Sequence, residues 1–131
     1  EENKLDKYVS IKGFADKIDF GIYNIGLMTS KYEAFARTTL DYMNHGLAVI
    51  ASKSGGNVEQ VNDNITGLLY DTCNAKSLAK TIIRLYDNQK LIGELGKNGR
   101  KRFISEFTQD IYQQKILNVF QLILNRRNKS L

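Results

Sequence analysis

The chain has no proline, no tryptophan, one cysteine and one histidine among its 131 residues. A lone cysteine, Cys73, has no partner for an internal disulfide and supplies too few thiolates for a cysteine-based metal site. It reads as a small residue near a helix start. The lone histidine, His45, has no cysteine or carboxylate cluster beside it and precedes Gly46. It reads as a helix-end cation rather than a metal ligand. No apolar run approaches the ~20 residues that a membrane-spanning helix needs, and no signal-peptide pattern is present. Internal repeats and low-complexity stretches are missing too. The first residue is Glu1 rather than Met, as expected of a piece cut from a longer protein or of a processed form.

What is present is ordinary for a globular domain: 42% apolar and 25% charged residues, in a chain long enough for one domain with a real core. Net charge is +5, from 19 basic and 14 acidic residues. Part of the excess gathers in Lys97-Asn98-Gly99-Arg100-Lys101-Arg102 and in Arg126-Arg127-Asn128-Lys129. Such clusters can meet nucleic acid or anionic lipid. The plainer reading is a solvated helix face and a helix C-terminus, where cations suit the dipole. No nucleic-acid motif or aromatic-studded sheet face accompanies them, so nucleic acid is not expected as a partner.

Hydrophobic patterning divides the chain into short strands and helices. Residues 7–12 alternate as a strand does, and Gly13 closes them. Residues 14–23 form a connection with one helical turn and a bend at Asp16-Lys17. Residues 25–29 predict a mostly buried strand. A helix over 36–44 buries Leu40, Met43 and Tyr42 and stops at His45-Gly46. The continuous apolar run 47–51 predicts a strand covered on both faces. The loop from Ser52 to Asn57 holds Gly55-Gly56, and a short helix follows to Val61. Asp63-Asn64 and Thr66-Gly67 turn the chain into a strand at 68–70. Asn74 caps a helix reaching about residue 87, with Leu78, Ile82, Leu85 and Tyr86 at helical spacing. A helix over 89–107 is weakened or broken near Gly96 and Gly99. Thr108 caps the last helix, whose Tyr112, Ile116, Val119, Phe120 and Ile123 form one stripe. That stripe reads as a docking face rather than a membrane anchor. Strands alternating with helices imply an α/β fold, a Rossmann-like parallel sheet flanked by helices, with the helical second half packed back over the sheet. The whole chain, 1–131, reads as one partial domain.

The chemistry concentrates between residues 25 and 60. A strand, a loop with a carboxylate, a helix, a second strand and a Gly-rich loop form a βαβ unit with two loops on one edge. Such edges bind ligands in α/β proteins. A helix's first turn offers unpaired N–H groups and partial positive charge, which suit phosphate. Ala34, Ala36, Thr38 and Thr39 are small enough for close approach, and Arg37 offers a bidentate bond to phosphate. Glu33 and Asp41 bracket this turn as acceptors for sugar hydroxyls, with Asp41 on the order of 9 Å along the axis. The spacing suits a nucleotide sugar. On spacing alone the plainer reading is a capping role for Glu33 and a surface role for Asp41.

The stretch Ser30-Lys31-Tyr32-Glu33-Ala34-Phe35-Ala36-Arg37, with Leu40-Asp41-Tyr42-Met43, Gly46-Leu47-Ala48-Val49-Ile50-Ala51 and Gly55-Gly56-Asn57-Val58-Glu59, resembles the C-terminal domain of family-4, GT-B fold retaining glycosyltransferases. That family carries a Glu, seven residues and a second Glu, then a Gly-x-Pro-Val-Ile strand and a Gly-Gly-x-x-Glu loop. Asp63-Asn64-Ile65-Thr66-Gly67-Leu68-Leu69-Tyr70 matches its Asp-Gly-x-x-Gly-x-Leu turn, and Val9-Ser10-Ile11-Lys12-Gly13-Phe14 its preceding strand. The resemblance covers roughly residues 5–107.

It implies the donor-binding half of an enzyme truncated on its N-terminal side. Glu33, the catalytic candidate, would reach the donor sugar, and Asp41 the ribose. Amides at Phe35, Ala36, Arg37 and Thr38 would meet the diphosphate, Gly13 and Phe14 would lie by the base, and Gly55 and Gly56 would face the interdomain cleft. The reaction implied is retaining sugar transfer from a nucleotide diphosphate sugar, the donor substrate, with no cofactor and no metal. The implied acceptor is a glycan, a lipid or a polysaccharide precursor. The missing N-terminal acceptor-binding domain is the implied partner. The implied address is cytoplasmic, at or near the inner face of the membrane.

Departures from the family pattern are Asp41 for the second Glu, Ala36 for a Gly, whose methyl requires negative φ, and Ala48 for a Pro. Glu59 reads first as a structural residue. The family's diphosphate-clamping Arg and Lys have no counterpart here, so the chain alone is expected to be inactive. A non-catalytic nucleotide-binding or scaffold domain of the same fold remains the alternative.

Overall fold

The structure, a computed structural model, describes residue 5 and residues 7–128. Glu1 and Lys129, both named above, lie outside the described residues. Three strands, β1 (Ile25–Met28), β2 (Ala48–Ser52) and β3 (Leu68–Tyr70), form a parallel sheet in that order. Ile25 pairs with Ala48, and Ile50 with Leu68. The helices are α1 (Arg37–Asn44), α2 (Gly56–Gln60), α3 (Ala75–Tyr86), α4 (Gln89–Glu106) and α5 (Gln109–Asn128), with a 3-10 turn at Phe20–Ile22. This is the α/β arrangement expected from the sequence.

β2 is the centre of the core. All five of its residues are buried. Successive side chains point to opposite faces of a strand, so Ala48 and Ile50 join Leu68, Tyr70, Leu85 and Leu95 in one cluster. Val49 and Ala51 join Leu40, Met43 and Val61 in the other. The apolar run is continuous because each face has its own cover.

α4 serves both layers. Leu91, Ile92 and Leu95 pack into the first cluster, while Phe103 packs against the second. The helix is unbroken, contrary to the expected weak point at Gly96 and Gly99. Those glycines are contact points: a Cβ on Gly96 would lie 2.1 Å from the Gly46 carbonyl oxygen, and one on Gly99 3.0 Å from that of Thr66. Gly46 and Thr66 lie just before β2 and β3. α4 thus crosses the amino ends of the strands and leaves their carboxyl ends open.

Four further expectations are corrected. The strand at 7–12 does not form: residues 7 and 8 make a turn, with Tyr8 and Val9 donating to the Leu5 carbonyl, and Ile11 is exposed. Alternation sorts side chains between two faces, but a strand also needs a neighbouring backbone for its N–H and C=O groups. No described strand runs beside this segment. β1 is half-buried rather than mostly buried, with Gly26 buried and Leu27 exposed, because it is an edge strand. On α3, Leu85 is buried and Leu78 packs on the core, whereas Ile82 and Tyr86 are exposed. Finally, α5 does not pack over the sheet. Its stripe, Tyr112, Ile116, Val119, Phe120 and Ile123, is exposed throughout.

Candidate functional site

Two loops leave the open edge. Residues 29–36 follow β1 and lead into α1, and residues 53–55 follow β2 and lead into α2. They meet backbone to backbone. The Gly56 N–H donates to the Glu33 carbonyl at 2.8 Å. A Cβ on Gly55 would lie 1.9 Å from that oxygen, and one on Gly56 2.9 Å from the Ala34 oxygen. Gly55 also has φ +46° and ψ −136°, a conformation that side chains disfavour. The glycine pair is therefore the floor on which the Glu33 loop rests.

Above that floor, Ala36 precedes α1 at the cap position, buried with φ −75° and giving no side-chain cap. The methyl that replaces the family glycine sits at negative φ, as it requires. The Arg37 N–H donates to the Phe35 carbonyl at 2.9 Å. The N–H groups of Thr38 and Thr39 take no backbone acceptor among the described residues. An uncapped first turn with free donors and partial positive charge attracts an anion.

The side chains around this turn divide by face. Thr39, Leu40 and Met43 are buried, while Arg37, Thr38 and Asp41 are exposed. At about 100° per residue, Arg37 and Asp41 fall on neighbouring positions of the outward face. Glu33 is partly buried in its loop, and Phe35 is exposed at the rim. Beside Asp41, Tyr42 covers Gly26 of β1. Its hydroxyl pKa is raised, first by burial and then by the Asp41 charge.

Gly13 and Phe14 are not packed onto this loop. Gly13 has open space where a Cβ would be, and Phe14 is 92% exposed. Gly13 instead lines a cavity of about 480 Å³ along β1 with Phe20, Ile25, Leu27 and Tyr42. His45 closes α1 from behind: it stacks on Phe20 at 4.4 Å, and its Nδ1 donates to the Asp41 carbonyl at 2.8 Å. The Glu59 side chain is exposed, while its carbonyl accepts from Arg102 at 3.0 Å. Among the described residues no three His, Cys, Asp or Glu side chains cluster as a metal site would require.

A polar network beneath the two loops escaped the sequence reading. The Thr39 hydroxyl donates to Asn57 Oδ1 at 2.8 Å, Asn57 Nδ2 to Ser52 Oγ at 3.2 Å, and Ser52 Oγ to the Ser30 carbonyl at 2.7 Å. Thr39, Asn57 and Ser52 are fully buried. A signal existed: Thr39 shares the helical face of Leu40 and Met43, where a polar side chain needs a buried partner.

The family model described as "Glycosyl transferases group 1" matches residues 5–102. A putative glycosyltransferase, YtcC, of Bacillus subtilis (strain 168) is 35% identical over 98 residues, which is 74% of this chain and 24% of that protein. A solved glycosyltransferase from Rickettsia africae is 31% identical with TM-score 0.74, covering 80% of this chain and 28% of the other. Anabaena Alr3699/HepE, solved in complex with UDP-glucose, is 22% identical with TM-score 0.73, a likeness of fold, over 78% of this chain and 28% of the other. The chain thus spans about a quarter of the length of these relatives.

Proposed function

This chain belongs to the glycosyl transferases of group 1, and from that premise we propose that it is the donor-binding part of an enzyme that moves a sugar from a nucleotide diphosphate sugar to an acceptor. The acceptor class is a glycan, a lipid or a cell-surface polysaccharide precursor. The observation that carries the reading is the uncapped start of α1 over the Gly55-Gly56 floor. Two free amides, at Thr38 and Thr39, and the exposed Arg37 suit a diphosphate. Fixed dipoles and a cation would stabilise the leaving group's charge as the glycosidic bond breaks. Glu33 is assigned to the donor sugar and Asp41 to the ribose, since a carboxylate accepts from hydroxyls. Phe35 and Ala36 complete the turn, and Gly13 and Phe14 are assigned to the base. The UDP-glucose complex of the Anabaena neighbour supports a nucleotide sugar as ligand. The reading asks for no metal or resident cofactor.

An acceptor-binding domain N-terminal to this chain is part of the proposal. The chain exposes 10343 Å², against about 7,000 Å² for a compact protein of its mass. The exposed stripe of α5 is assigned to that domain. No described helix is long and apolar enough to cross a membrane. The proposed address is cytoplasmic, with peripheral contact at the inner membrane face.

Calorimetric titration of the full-length protein with uridine and guanosine diphosphates and their sugars tests the reading. One nucleotide is expected to bind. Asp41→Ala should weaken nucleotide and nucleotide sugar alike, by roughly tenfold for one lost charge-assisted bond. Glu33→Ala should weaken only the nucleotide sugar. Titrations without heat for every nucleotide would reject donor binding; binding without sugar transfer would favour a non-catalytic domain.

A further inference from the structure

The buried network has a direction that the chemistry fixes. The Ser30 carbonyl can only accept, so the single Ser52 proton goes to it. Ser52 must then accept from its other neighbours, and Asn57 meets it with Nδ2. That leaves Asn57 Oδ1 to face the Thr39 hydroxyl, which donates. The Ser54 hydroxyl, 3.0 Å from Ser52 Oγ, is a donor by the same logic. Each hydrogen bond in the network therefore has one direction.

The geometry matters for where the ends lie. Ser30 stands near the start of the loop that carries Glu33, and Thr39 stands in the first turn of the helix after it. Both ends therefore converge on one buried pair, Ser52 and Asn57. Asn57 itself directly follows the Gly55-Gly56 floor. The loop is held from below at its middle by glycine contacts and at both ends by this network.

We propose that Asn57 and Thr39 are positioning residues that fix the height and tilt of the Glu33 loop over α2. Their role rests on the donor-site reading above, since that reading gives the loop its ligand. The two side chains, buried beneath the loop, touch no ligand themselves. They act by denying the loop alternative seats: any shift of its ends leaves a buried amide or hydroxyl without a partner, which is costly.

The test measures backbone amide exchange across residues 31–38, and nucleoside diphosphate affinity, in the full-length protein. Thr39→Val keeps the shape and removes the donor; Thr39→Ser keeps the donor. With Thr39→Val, exchange over 31–38 should quicken by roughly tenfold, the ratio for one lost buried hydrogen bond, while β2 stays protected. Diphosphate affinity should fall with it, and Thr39→Ser should restore both. If Thr39→Val does not fold, Ser52→Ala serves: it releases the Ser30 end and should quicken exchange there first. Unchanged exchange in the loop overturns the proposal, as does an equal rise across the whole sheet. Local loosening in a protein that binds no nucleoside diphosphate supports the positioning role and rejects the donor reading instead.

Discussion

Gly55 lies directly beneath the Glu33 carbonyl, so close that a Cβ there would fall 1.9 Å from the oxygen. The contact joins the two loops of the open edge and excludes every side chain at position 55. Gly55→Ala must also hold an alanine at φ +46°, a strain of about 1–3 kcal/mol before the clash is counted. The expected outcome is a urea midpoint lowered accordingly and loss of nucleotide binding. An unchanged midpoint with full binding would show that the loops are not packed this way.

Gly93 and Gly96 give a matched pair within α4. A Cβ on Gly93 meets nothing within 4 Å, whereas one on Gly96 lies 2.1 Å from the Gly46 carbonyl. Gly93→Ala should stabilise the chain by about 0.5–1 kcal/mol through helix propensity. Gly96→Ala should destabilise it by ~2 kcal/mol or more, because α4 must lift off the turn before β2. Thermal unfolding of the two variants checks the sign of each change.

Stability should fall at alkaline pH. The hydroxyl pKa values of Tyr42 and Tyr70 are both raised above 10.0, mainly by burial, with Asp41 adding to the first and Cys73 to the second. A raised pKa means that the folded chain holds its proton longer than the unfolded chain. The contribution is complete below pH 10.0 and is lost as pH rises through the folded values. Denaturant titrations from neutral pH upward should show this decline, and a Tyr42→Phe, Tyr70→Phe double variant should flatten it.

The exposed stripe of α5 should be dispensable for the stability of the sheet. Ile116, Phe120 and Ile123 are solvent-accessible and belong to neither core cluster. Phe120→Ser with Ile123→Ser should therefore move the unfolding free energy of the sheet domain, read by urea titration, by no more than ~0.5 kcal/mol. A large loss of stability would mean that the stripe is part of the core.

Much of the fold was legible because its centre is local. β2 announces itself as an unbroken apolar run, and α1 as a short amphipathic helix ended by Gly46. The Asn74 cap was readable from one residue, and its side chain does accept from the Ser77 N–H at 3.0 Å. Residues 7–12 carried an equally clear alternation and still formed no strand, since pairing depends on a neighbour elsewhere in the chain. Gly96 looked like a helix breaker by composition, but its role is set by the Gly46 turn that it touches, fifty positions earlier in sequence.

The candidate site divides in the same way. Glu33, Asp41 and the glycine pair were singled out as candidates chiefly by resemblance, and they lie within one βαβ unit whose geometry is nearly fixed by its element lengths. Thr39, Asn57, Ser52 and Ser30 look unremarkable one at a time. Nothing in a linear string states that Thr39 and Asn57, 18 positions apart, will be buried face to face. The sequence by itself determined the layers, the open edge and the carboxylates set beside it, since periodicity and local sterics govern these. Only the tertiary structure decided which amides stay free, which glycines carry another backbone, and which polar side chains share a buried hydrogen-bond network, because each depends on two distant segments arriving at one place.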